Sequence, residues 1–254
     1  MKTQVTIAVP LRTQGAMLLR LLAIQASWNY ETMVGNGIGF CTEPALRLLP
    51  GGVDGEAYRA ALARQSQYFN AHPYLASVAV GALARAELEG EAPDRIERFR
   101  TALCGPLGSV GDRLVWAALL PACSIAALLV FGAGGGAAAT ALTFLGLFNA
   151  GHLALRVWGL RIGLTNGVRV AHALGAPFLR QGPQLLGTIA ALLAGLGLPL
   201  AVQQIVEPGR TLLGGIIIAI AVGSVVLVRL QSRFEGWKVA LLVQVAFILY
   251  MAVK

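Results

Sequence analysis

Residues 114–131 read LVWAALLPACSIAALLVF, a run of 18 residues without a charged side chain. A helix needs about 20 apolar residues to cross the hydrocarbon core of a bilayer, so this run predicts a membrane-spanning helix. Further apolar segments follow at residues 137–155, 185–206, 212–228 and 239–253. The last one is short for a crossing and would need tilt or local thinning of the bilayer. We therefore expect an all-α integral membrane protein with about five hydrophobic segments in its C-terminal half.

The composition of the whole chain agrees with a membrane setting. Of its 254 residues, 56% are hydrophobic and only 13% are charged, whereas soluble domains carry about 25% charged residues. Mean hydropathy is +0.69, and the formal net charge is +8. In a membrane protein such a basic excess belongs to cytoplasmic loops that meet anionic lipid, so we expect membrane lipid but no nucleic acid as a partner.

The distribution of basic residues predicts the orientation of the chain. Basic residues predominate between the second and third segments and between the fourth and fifth, while the two opposite loops are nearly uncharged. The basic residues are Arg156, Arg161, Arg169 and Arg180 in the first case, and Arg229, Arg233 and Lys238 in the second. Because cytoplasmic loops hold the Arg and Lys residues, we expect a multi-pass protein with a cytoplasmic N-terminus.

The N-terminal part, residues 1–113, is polar and helical in pattern but holds no run long enough for a simple crossing. We expect an interfacial amphipathic helix at its start, whose buried side would comprise Met17, Leu18, Leu21, Leu22 and residues 25–28. Moderately apolar stretches at 33–49 and 74–86 have the size of re-entrant helices, which survive at membrane depth only when buried in protein or lining a cavity. The remainder, 114–254, forms the transmembrane part.

Proline and aspartate residues predict the boundaries of further helices in the polar part. Asp54 is expected to cap a helix that reaches about Tyr68. Pro73 is expected to open a second helix that reaches Glu89, and Pro93 to open an amphipathic third one.

The first polar motif is QASWNYE at residues 25–31. It places the amide of Asn29 and the carboxylate of Glu31 beside the ring of Trp28. This combination suits a sugar, whose hydroxyls need donors and acceptors and whose ring face needs an aromatic side chain. The equal alternative is an interfacial anchor with Trp28 and Tyr30 at headgroup level.

The second motif is YFNAHP at residues 68–73. Pro73 disfavours helical geometry at His72, and so breaks the helix beside an amide, Asn70, and an imidazole. A helix-connecting turn capped by Asn70 is the equal alternative. A single histidine is weak support for a proton carrier.

The third motif, GPLGSVGD at residues 105–112, leads into the first hydrophobic segment. It lacks the Lys-Ser/Thr ending of a P-loop and follows no strand, which argues against nucleotide binding. Its glycines predict close backbone contacts, and Asp112 is expected at a helix N-terminus. There Asp112 would either cap the helix or accept hydrogen bonds from substrate hydroxyls.

The fourth motif, FNAGH at residues 148–152, lies inside the second hydrophobic segment. Polar groups within a span usually face the bundle interior or a water-filled path, so Asn149 is a candidate lining residue. Hydrogen bonding between helices is the equal alternative.

The chain lacks the sequence motifs of membrane proteases and metal enzymes. No HExxH motif, no paired Cys or His ligands and no serine in an elbow sequence occur. Cys41, Cys104 and Cys123 have no CxxC or zinc spacing and are expected to be small buried side chains. We expect no metal, no cofactor and no covalent step performed by this chain alone.

In their order and spacing, the four motifs resemble the IID subunit of the mannose, fructose and sorbose family of the bacterial phosphotransferase system (PTS). The resemblance runs from about Arg12 to about Gln184 and includes GLRIGLTNG at residues 159–167. It implies one IID-type membrane domain over residues 1–254, located in the bacterial cytoplasmic (inner) membrane.

For function, the resemblance implies a subunit of a sugar permease. In the family, IID pairs with a IIC membrane subunit to form the sugar path, and cytoplasmic IIA and IIB proteins relay phosphate from phosphoenolpyruvate through their own histidines. The chain would take up a hexose in a hetero-oligomer with IIC while IIB phosphorylates the sugar. The family motifs place the polar lining at Trp28, Asn29, Glu31, Asn70, His72, Asp112 and Asn149, with Glu31, Asn70 and Asp112 as the strongest candidates.

Two departures from the family pattern keep other functions open. Arg113 follows Asp112 where the family commonly has Pro or Ser, and it could pair with that carboxylate. The stretch after Gln184 matches the family only in general hydrophobicity. A non-transporting scaffold or regulatory subunit that retains the IID fold is the first alternative, and a permease subunit unrelated to phosphotransfer is the second.

Overall fold

The computed structural model describes residues 7–206, and this part of the chain is helical apart from its turns. Two isolated bridges, Asn29 with Met33 and Met33 with Phe69, are its only β-type pairings. The expected all-α fold is confirmed. The helices are α1 (Leu11–Leu21), α2 (Gly35–Leu46), α3 (Glu56–Gln65), α4 (Ala76–Leu88), α5 (Pro93–Gly111), α6 (Leu120–Gly132), α7 (Ala137–Asn166) and α8 (Pro177–Val206). Two 3₁₀ segments (Gly52–Asp54 and Gly167–Gly175) and a π-helical segment (Asp112–Leu119) join some of them.

Within residues 7–206, three helical stretches are long and apolar enough to cross a membrane. They are Pro93–Gly132, Ala137–Gly175 and Pro177–Gln204, judged by length and composition. The first two predicted hydrophobic segments lie within these stretches, and the third, 185–206, coincides with the last stretch up to Gln204. The predicted segments at 212–228 and 239–253 lie outside the described residues.

The first of these stretches runs without a break through the third sequence motif. Helix α5 passes into the π-helical segment at Asp112, which continues directly into α6. The expectation that Asp112 begins a helix is therefore wrong. Glycine inside a helix costs only about 1 kcal/mol relative to alanine, and the buried side chains of Leu103 and Leu107 hold this part of α5 against the core. The irregularity that the glycines predicted appears as the π segment instead.

Helix α4 is the centre of the described part, with 12 of its 13 residues buried. It packs directly on α7, where glycine allows the two backbones to approach. A Cβ at Gly81 would lie 2.5 Å from the carbonyl oxygen of Leu160, and one at Gly163 would clash with the carbonyl oxygen of Val78. Gly159 and Gly163 form the small-residue spacing typical of close helix pairs in membranes. The moderately apolar stretch 74–86 is thus buried in protein, as its composition requires.

A buried polar network fixes α3 and α5 to this central helix. Glu87 accepts two hydrogen bonds from Arg64, at 2.9 and 2.8 Å, and one from the amide of Gln65 at 2.7 Å. Arg100 donates to the Gln65 side chain at 3.1 Å and to the Gln67 carbonyl, also at 3.1 Å. Because the buried carboxylate is fully partnered, the network offsets the cost of desolvating its charges.

A second network joins α1, α2 and α3 around Glu43. This carboxylate receives hydrogen bonds from Arg20 at 2.7 Å, Arg47 at 2.5 Å and Tyr58 at 2.9 Å. Burial raises the pKa of Glu43, but the three donors outweigh burial and hold its pKa below the ordinary value. The carboxylate is therefore ionised at neutral pH and ties the N-terminal helices together.

The N-terminal amphipathic helix is shorter than expected. Met17 and Leu21 are buried as predicted, but α1 ends at Leu21, and Leu22 and Trp28 are 53% and 45% exposed. Because the helix ends at Leu21, residues 25–28 do not continue its buried face and are exposed.

Two further expectations fail for local reasons. Asp54 does not cap α3, because it belongs to the preceding 3₁₀ turn and Gly55 stands at the cap position. Arg156 does not lie in a loop, because α7 continues to Asn166 and buries this side chain.

Candidate functional site

The first and second motifs are joined by backbone hydrogen bonds although they are distant in sequence. Within the first loop, Asn29 Oδ1 accepts from the N–H groups of Glu31 at 2.9 Å and Thr32 at 2.8 Å. Between the loops, the Val34 N–H donates to the Phe69 carbonyl at 3.0 Å, and the Phe69 N–H donates to the Thr32 carbonyl at 3.1 Å. The two loops therefore form a single unit.

Met33 lies at the centre of this unit in an uncommon conformation. Its φ of +53° falls in the left-handed region, which non-glycine residues rarely adopt. Its N–H donates to the Asn29 carbonyl at 2.8 Å. Backbone strain of this kind persists only where the surroundings enforce it, and it is common at functional sites.

The third motif reaches the second at His72. Gly111 packs so closely on this imidazole that a Cβ at position 111 would clash with the Cβ and Cγ atoms of His72. One turn further, Trp116 lies with its ring centroid 4.9 Å from that of His72. Gly111 directly precedes the π-helical segment and Trp116 lies within it. Such segments occur frequently at functional sites.

The fourth motif contacts Tyr74, whose ring also lies beside His72. The Tyr74 ring stacks on His152 with a centroid distance of 4.8 Å and contacts Phe148 at 6.1 Å. Asn149 lies beside them, with its Oδ1 2.8 Å from His152 Nε2 and its Nδ2 donating to the Leu145 carbonyl at 2.6 Å.

Arg156 completes the cluster from α7. Its guanidinium carbon lies 4.7 Å from the centroid of Tyr74, and its Nη1 donates to the carbonyl of Leu21 at the end of α1. The side chain is buried and has no carboxylate partner in residues 7–206. The ring face of Tyr74 thus stabilises this cation together with the Leu21 carbonyl.

The hydrogen bonds assign the tautomers of both histidines. His72 Nδ1 accepts from the Tyr74 N–H at 3.2 Å, so its Nε2 carries the proton. His152 Nε2 faces the acceptor oxygen of Asn149, so its Nδ1 is the free acceptor. Within the described residues, His72 Nε2, His152 Nδ1 and Arg156 Nε are buried without a partner. Two donors and one acceptor therefore surround Tyr74, a set able to bind hydroxyl groups.

His72 acts in this set as a neutral group. Burial, with a smaller contribution from the positive charge of Arg156, lowers the pKa of His72 to about 4. At neutral pH the imidazole therefore donates a hydrogen bond without carrying a charge.

The predicted lining residues differ in exposure. His72 is buried and Asn29 half-buried, whereas the remaining five, Trp28, Glu31, Asn70, Asp112 and Asn149, are exposed. The structure brings His72 and Asn149 to one cluster around Tyr74, and Asp112 follows Gly111, which packs on His72. The loop of Asn29 and Glu31 is linked to the second motif through the hydrogen bonds of Thr32 and Val34 with Phe69. The side chains of Glu31, Asn70 and Asp112 form no hydrogen bond with other residues in the described part. They are free to bind another molecule.

Two details of the sequence interpretation change. The side chain of Asn29 closes its own loop, with Nδ2 also donating to Thr32 Oγ1 at 2.9 Å, so its first role is local. Arg113 does not pair with Asp112 in the described structure; its Nε lies 3.4 Å from the Ser109 carbonyl oxygen.

Sequence reasoning did not include Tyr74, Trp116, His152 and Arg156 among the lining residues. Arg156 carried a usable signal, because an arginine directly after an apolar segment of a helix needs a specific partner. Tyr74 and Trp116 carried none, since aromatic residues in apolar surroundings are most often part of the core.

The comparisons with known proteins agree on one family. The model of the PTS system mannose/fructose/sorbose family IID component matches residues 11–189. The mannose-specific EIID component of Escherichia coli (strain K12) is 32% identical over 205 residues, which cover 75% of this chain and 71% of the relative. The sorbose-specific EIID component of Klebsiella pneumoniae is 34% identical over 211 residues, covering 76% and 74%.

Two solved structures share the fold. The cryo-EM structure of the mannose transporter ManYZ with microcin E492 contains a chain that is 23% identical, with a TM-score of 0.57 over 96% of this chain and 97% of that one. A second chain, described as a membrane protein, is 22% identical with a TM-score of 0.68, covering 97% and 98%. At these identities the likeness concerns the fold alone.

Proposed function

The chain belongs to the IID component family of the mannose/fructose/sorbose phosphotransferase systems and is part of a sugar transporter, and from this premise we propose that it forms a sugar path together with a IIC subunit. In this proposal a hexose of the mannose, fructose and sorbose class passes between the two subunits, and IIB phosphorylates it as it enters. The chain holds no phosphorylated residue; phosphate reaches the sugar from IIA and IIB.

The meeting of the second, third and fourth motifs around Tyr74 carries the proposal. These motifs come from loops and helices that are far apart in sequence. In the described residues, the side chains of Glu31, Asn70 and Asp112 are exposed and form no intramolecular hydrogen bond. Such a surface suits a path that is completed by a second subunit rather than enclosed within one chain.

The chemistry of the cluster supports a neutral polyhydroxylated ligand. The carboxylates of Glu31 and Asp112 accept hydrogen bonds, and the neutral His72 donates one, so that a sugar hydroxyl can satisfy both kinds of group. Trp28 and Tyr30 of the first motif, whose ring centroids are 4.8 Å apart, supply exposed aromatic faces. This combination of sparse polar groups and aromatic walls is typical of small-molecule sites.

For the location of the chain, we propose the bacterial cytoplasmic membrane with a cytoplasmic N-terminus. The exposed residues Arg161, Arg169 and Arg180 follow one end of the apolar part of α7, whereas residues 133–136 at the other end carry no charge. This asymmetry supports the orientation under the positive-inside rule. Labelling of single cysteines at positions 95 and 134 in sealed vesicles would test it, because they should react from opposite sides.

Phosphoenolpyruvate-dependent sugar uptake tests the function. The chain is co-expressed with IIC, IIA and IIB from the same source, and uptake is measured in vesicles. Asp112→Ala and Glu31→Ala should reduce uptake at least tenfold without loss of co-purification with IIC. Asp94→Ala, an exposed acid at the start of α5, is the matched control and should retain full uptake. Normal uptake in both site variants would remove these residues from the path.

A non-transporting scaffold is the second candidate, and the departure at Arg113 is its basis. The absence of an ion pair between Arg113 and Asp112 in the described residues weakens it, because Asp112 stays free to bind a ligand. Full uptake with Arg113 in place would exclude the scaffold, whereas uptake gained only in Arg113→Ser would favour it. Serine is preferable to proline here, because position 113 lies inside a continuous helix.

Co-purification in mild detergent tests the remaining alternative, a permease subunit unrelated to phosphotransfer. Recovery of a IIC partner supports the phosphotransferase assignment. Recovery of a nucleotide-hydrolysing partner in its place would contradict it.

A further inference from the structure

Two grooves flank Arg161 on the exposed side of α7. The larger, of about 530 Å³, runs along α7 and is lined by Ala154, Val157, Trp158, Arg161, Ile162 and Thr165. The smaller, of about 300 Å³, lies between α7 and α1, where Leu11 and Leu18 face Val157, Leu160 and Arg161. Both grooves thus have mainly apolar walls, and Arg161 is the one cationic side chain that they share.

The position of Arg161 along α7 corresponds to the headgroup layer of a bilayer. The apolar segment 137–155 has 19 residues, which at 1.5 Å per residue span roughly 28 Å, close to the hydrocarbon thickness of about 30 Å. Arg161 lies six residues beyond this segment, or roughly 9 Å. Arg156 is buried, so Arg161 is the first exposed charge that lipid would meet along α7.

The charge of Arg161 is uncompensated. No carboxylate lies within ion-pair distance of its guanidinium among residues 7–206. A guanidinium matches the geometry of a phosphate group, to which it can donate two parallel hydrogen bonds. The charge complementarity therefore favours a phosphate-bearing ligand.

The surroundings of the grooves favour lipid over water. On α1, next to the smaller groove, Leu11 and Leu19 are 83% and 70% exposed, which is unfavourable in water but normal for a helix that lies in the membrane interface. In the larger groove, Trp158 stands at the level where tryptophan is enriched in membrane proteins.

We propose that the two Arg161 grooves bind an anionic phospholipid. The headgroup phosphate lies on the guanidinium of Arg161, and the acyl chains follow the apolar walls, one along Trp158 and Ala154 and the other between α1 and α7. This site is separate from the Tyr74 cluster and does not depend on the sugar path.

The test measures lipid binding by the purified full-length protein in its native complex. Phosphatidylglycerol or phosphatidylcholine is added to the detergent-solubilised complex, and bound lipid is counted by native mass spectrometry. Arg161→Gln should weaken the retention of phosphatidylglycerol about tenfold and leave phosphatidylcholine unchanged. Arg59→Gln, which removes an exposed arginine of α3 outside both grooves, is the control and should behave as the unmodified protein.

A second measurement identifies the occupant. A photo-crosslinking residue at position 157, between the grooves, should capture phospholipid in native membranes. Capture of a protein segment at this position would overturn the proposal. Equal retention of phosphatidylglycerol by Arg161→Gln and the unmodified protein would also overturn it, as would an equal loss in Arg59→Gln.

Discussion

The buried guanidinium of Arg156 lies 4.7 Å from the centre of the Tyr74 ring, without a carboxylate partner in the described residues. This contact joins α7 to the segment that precedes α4, and so holds the fourth motif against the second. A cation over an aromatic face contributes about 0.5 to 2 kcal/mol, more when it is desolvated.

A double-mutant cycle should detect this coupling. We expect Arg156→Met and Tyr74→Leu to be coupled by about 1 to 2 kcal/mol, measured as thermal or denaturant unfolding of the purified protein. Tyr74→Phe retains the ring and is the control. Combined with Arg156→Met it should give nearly additive effects, because phenylalanine still offers a ring face to the guanidinium. Purely additive effects of Arg156→Met and Tyr74→Leu would show that the ring does not stabilise the cation.

Removal of Glu87 should be far more damaging than removal of Glu91, an acid whose ion-pair partner is exposed. Glu87→Leu leaves the partly buried Arg64 and the buried Gln65 without their carboxylate partner, which costs about 3 to 5 kcal/mol, or roughly 10 °C in melting temperature. Glu91→Gln breaks a pair with Arg95, whose side chain is 57% exposed, and should cost less than about 1 kcal/mol. Similar melting temperatures for the two variants would contradict the role of the network.

The contact between α4 and α7 should not tolerate a methyl group. Gly163→Ala places a Cβ against the Val78 carbonyl, so we expect the helices to separate and the melting temperature to fall by several degrees. Gly146→Ala is the control on the same helix, where a Cβ would meet nothing within 4 Å. It should be neutral or stabilise by up to about 1 kcal/mol, because alanine restricts the unfolded chain. Normal stability of Gly163→Ala would refute the close approach.

Protonation of His72 should destabilise the fold in mild acid. Its folded pKa of about 4 lies below the ordinary value of 6.5, so the unfolded chain binds the proton more readily. The neutral His72 therefore contributes to the free energy of unfolding above pH 6.5. This contribution, up to about 3 kcal/mol in total, is lost as the pH falls to about 4.

The pH dependence of unfolding between 6.5 and 4 checks this expectation. His72→Gln should flatten the slope in this window, whereas His172→Gln, at an exposed position, should leave it unchanged. Glu43 does not account for the window, because its pKa lies below the ordinary carboxyl value and its contribution is lost at lower pH. An unchanged slope in His72→Gln would disprove the buried neutral state.

Much of the candidate site followed from short stretches of sequence. His72, Asp112 and Asn149 stood out because each is polar beside a proline, a glycine or an apolar run, and the structure places their motifs in one cluster. Asp112 was nevertheless assigned the wrong local structure. A series of glycines permits a helix break but does not require one, and the buried leucines on either side of Pro106 kept the helix intact.

The sequence by itself determined the helical membrane class and the family, because the length of apolar runs and the order of motifs are properties of the chain alone. Only the tertiary structure decided that Tyr74, Trp116 and Arg156 complete the cluster. The contact of Tyr74 with Arg156 depends on how closely α4 and α7 approach, which Gly81 and Gly163 permit. The contact of Trp116 depends on the close approach of Gly111 to His72. Residues that meet through such packing are far apart in the chain, and of these three only Arg156 is marked by a local pattern.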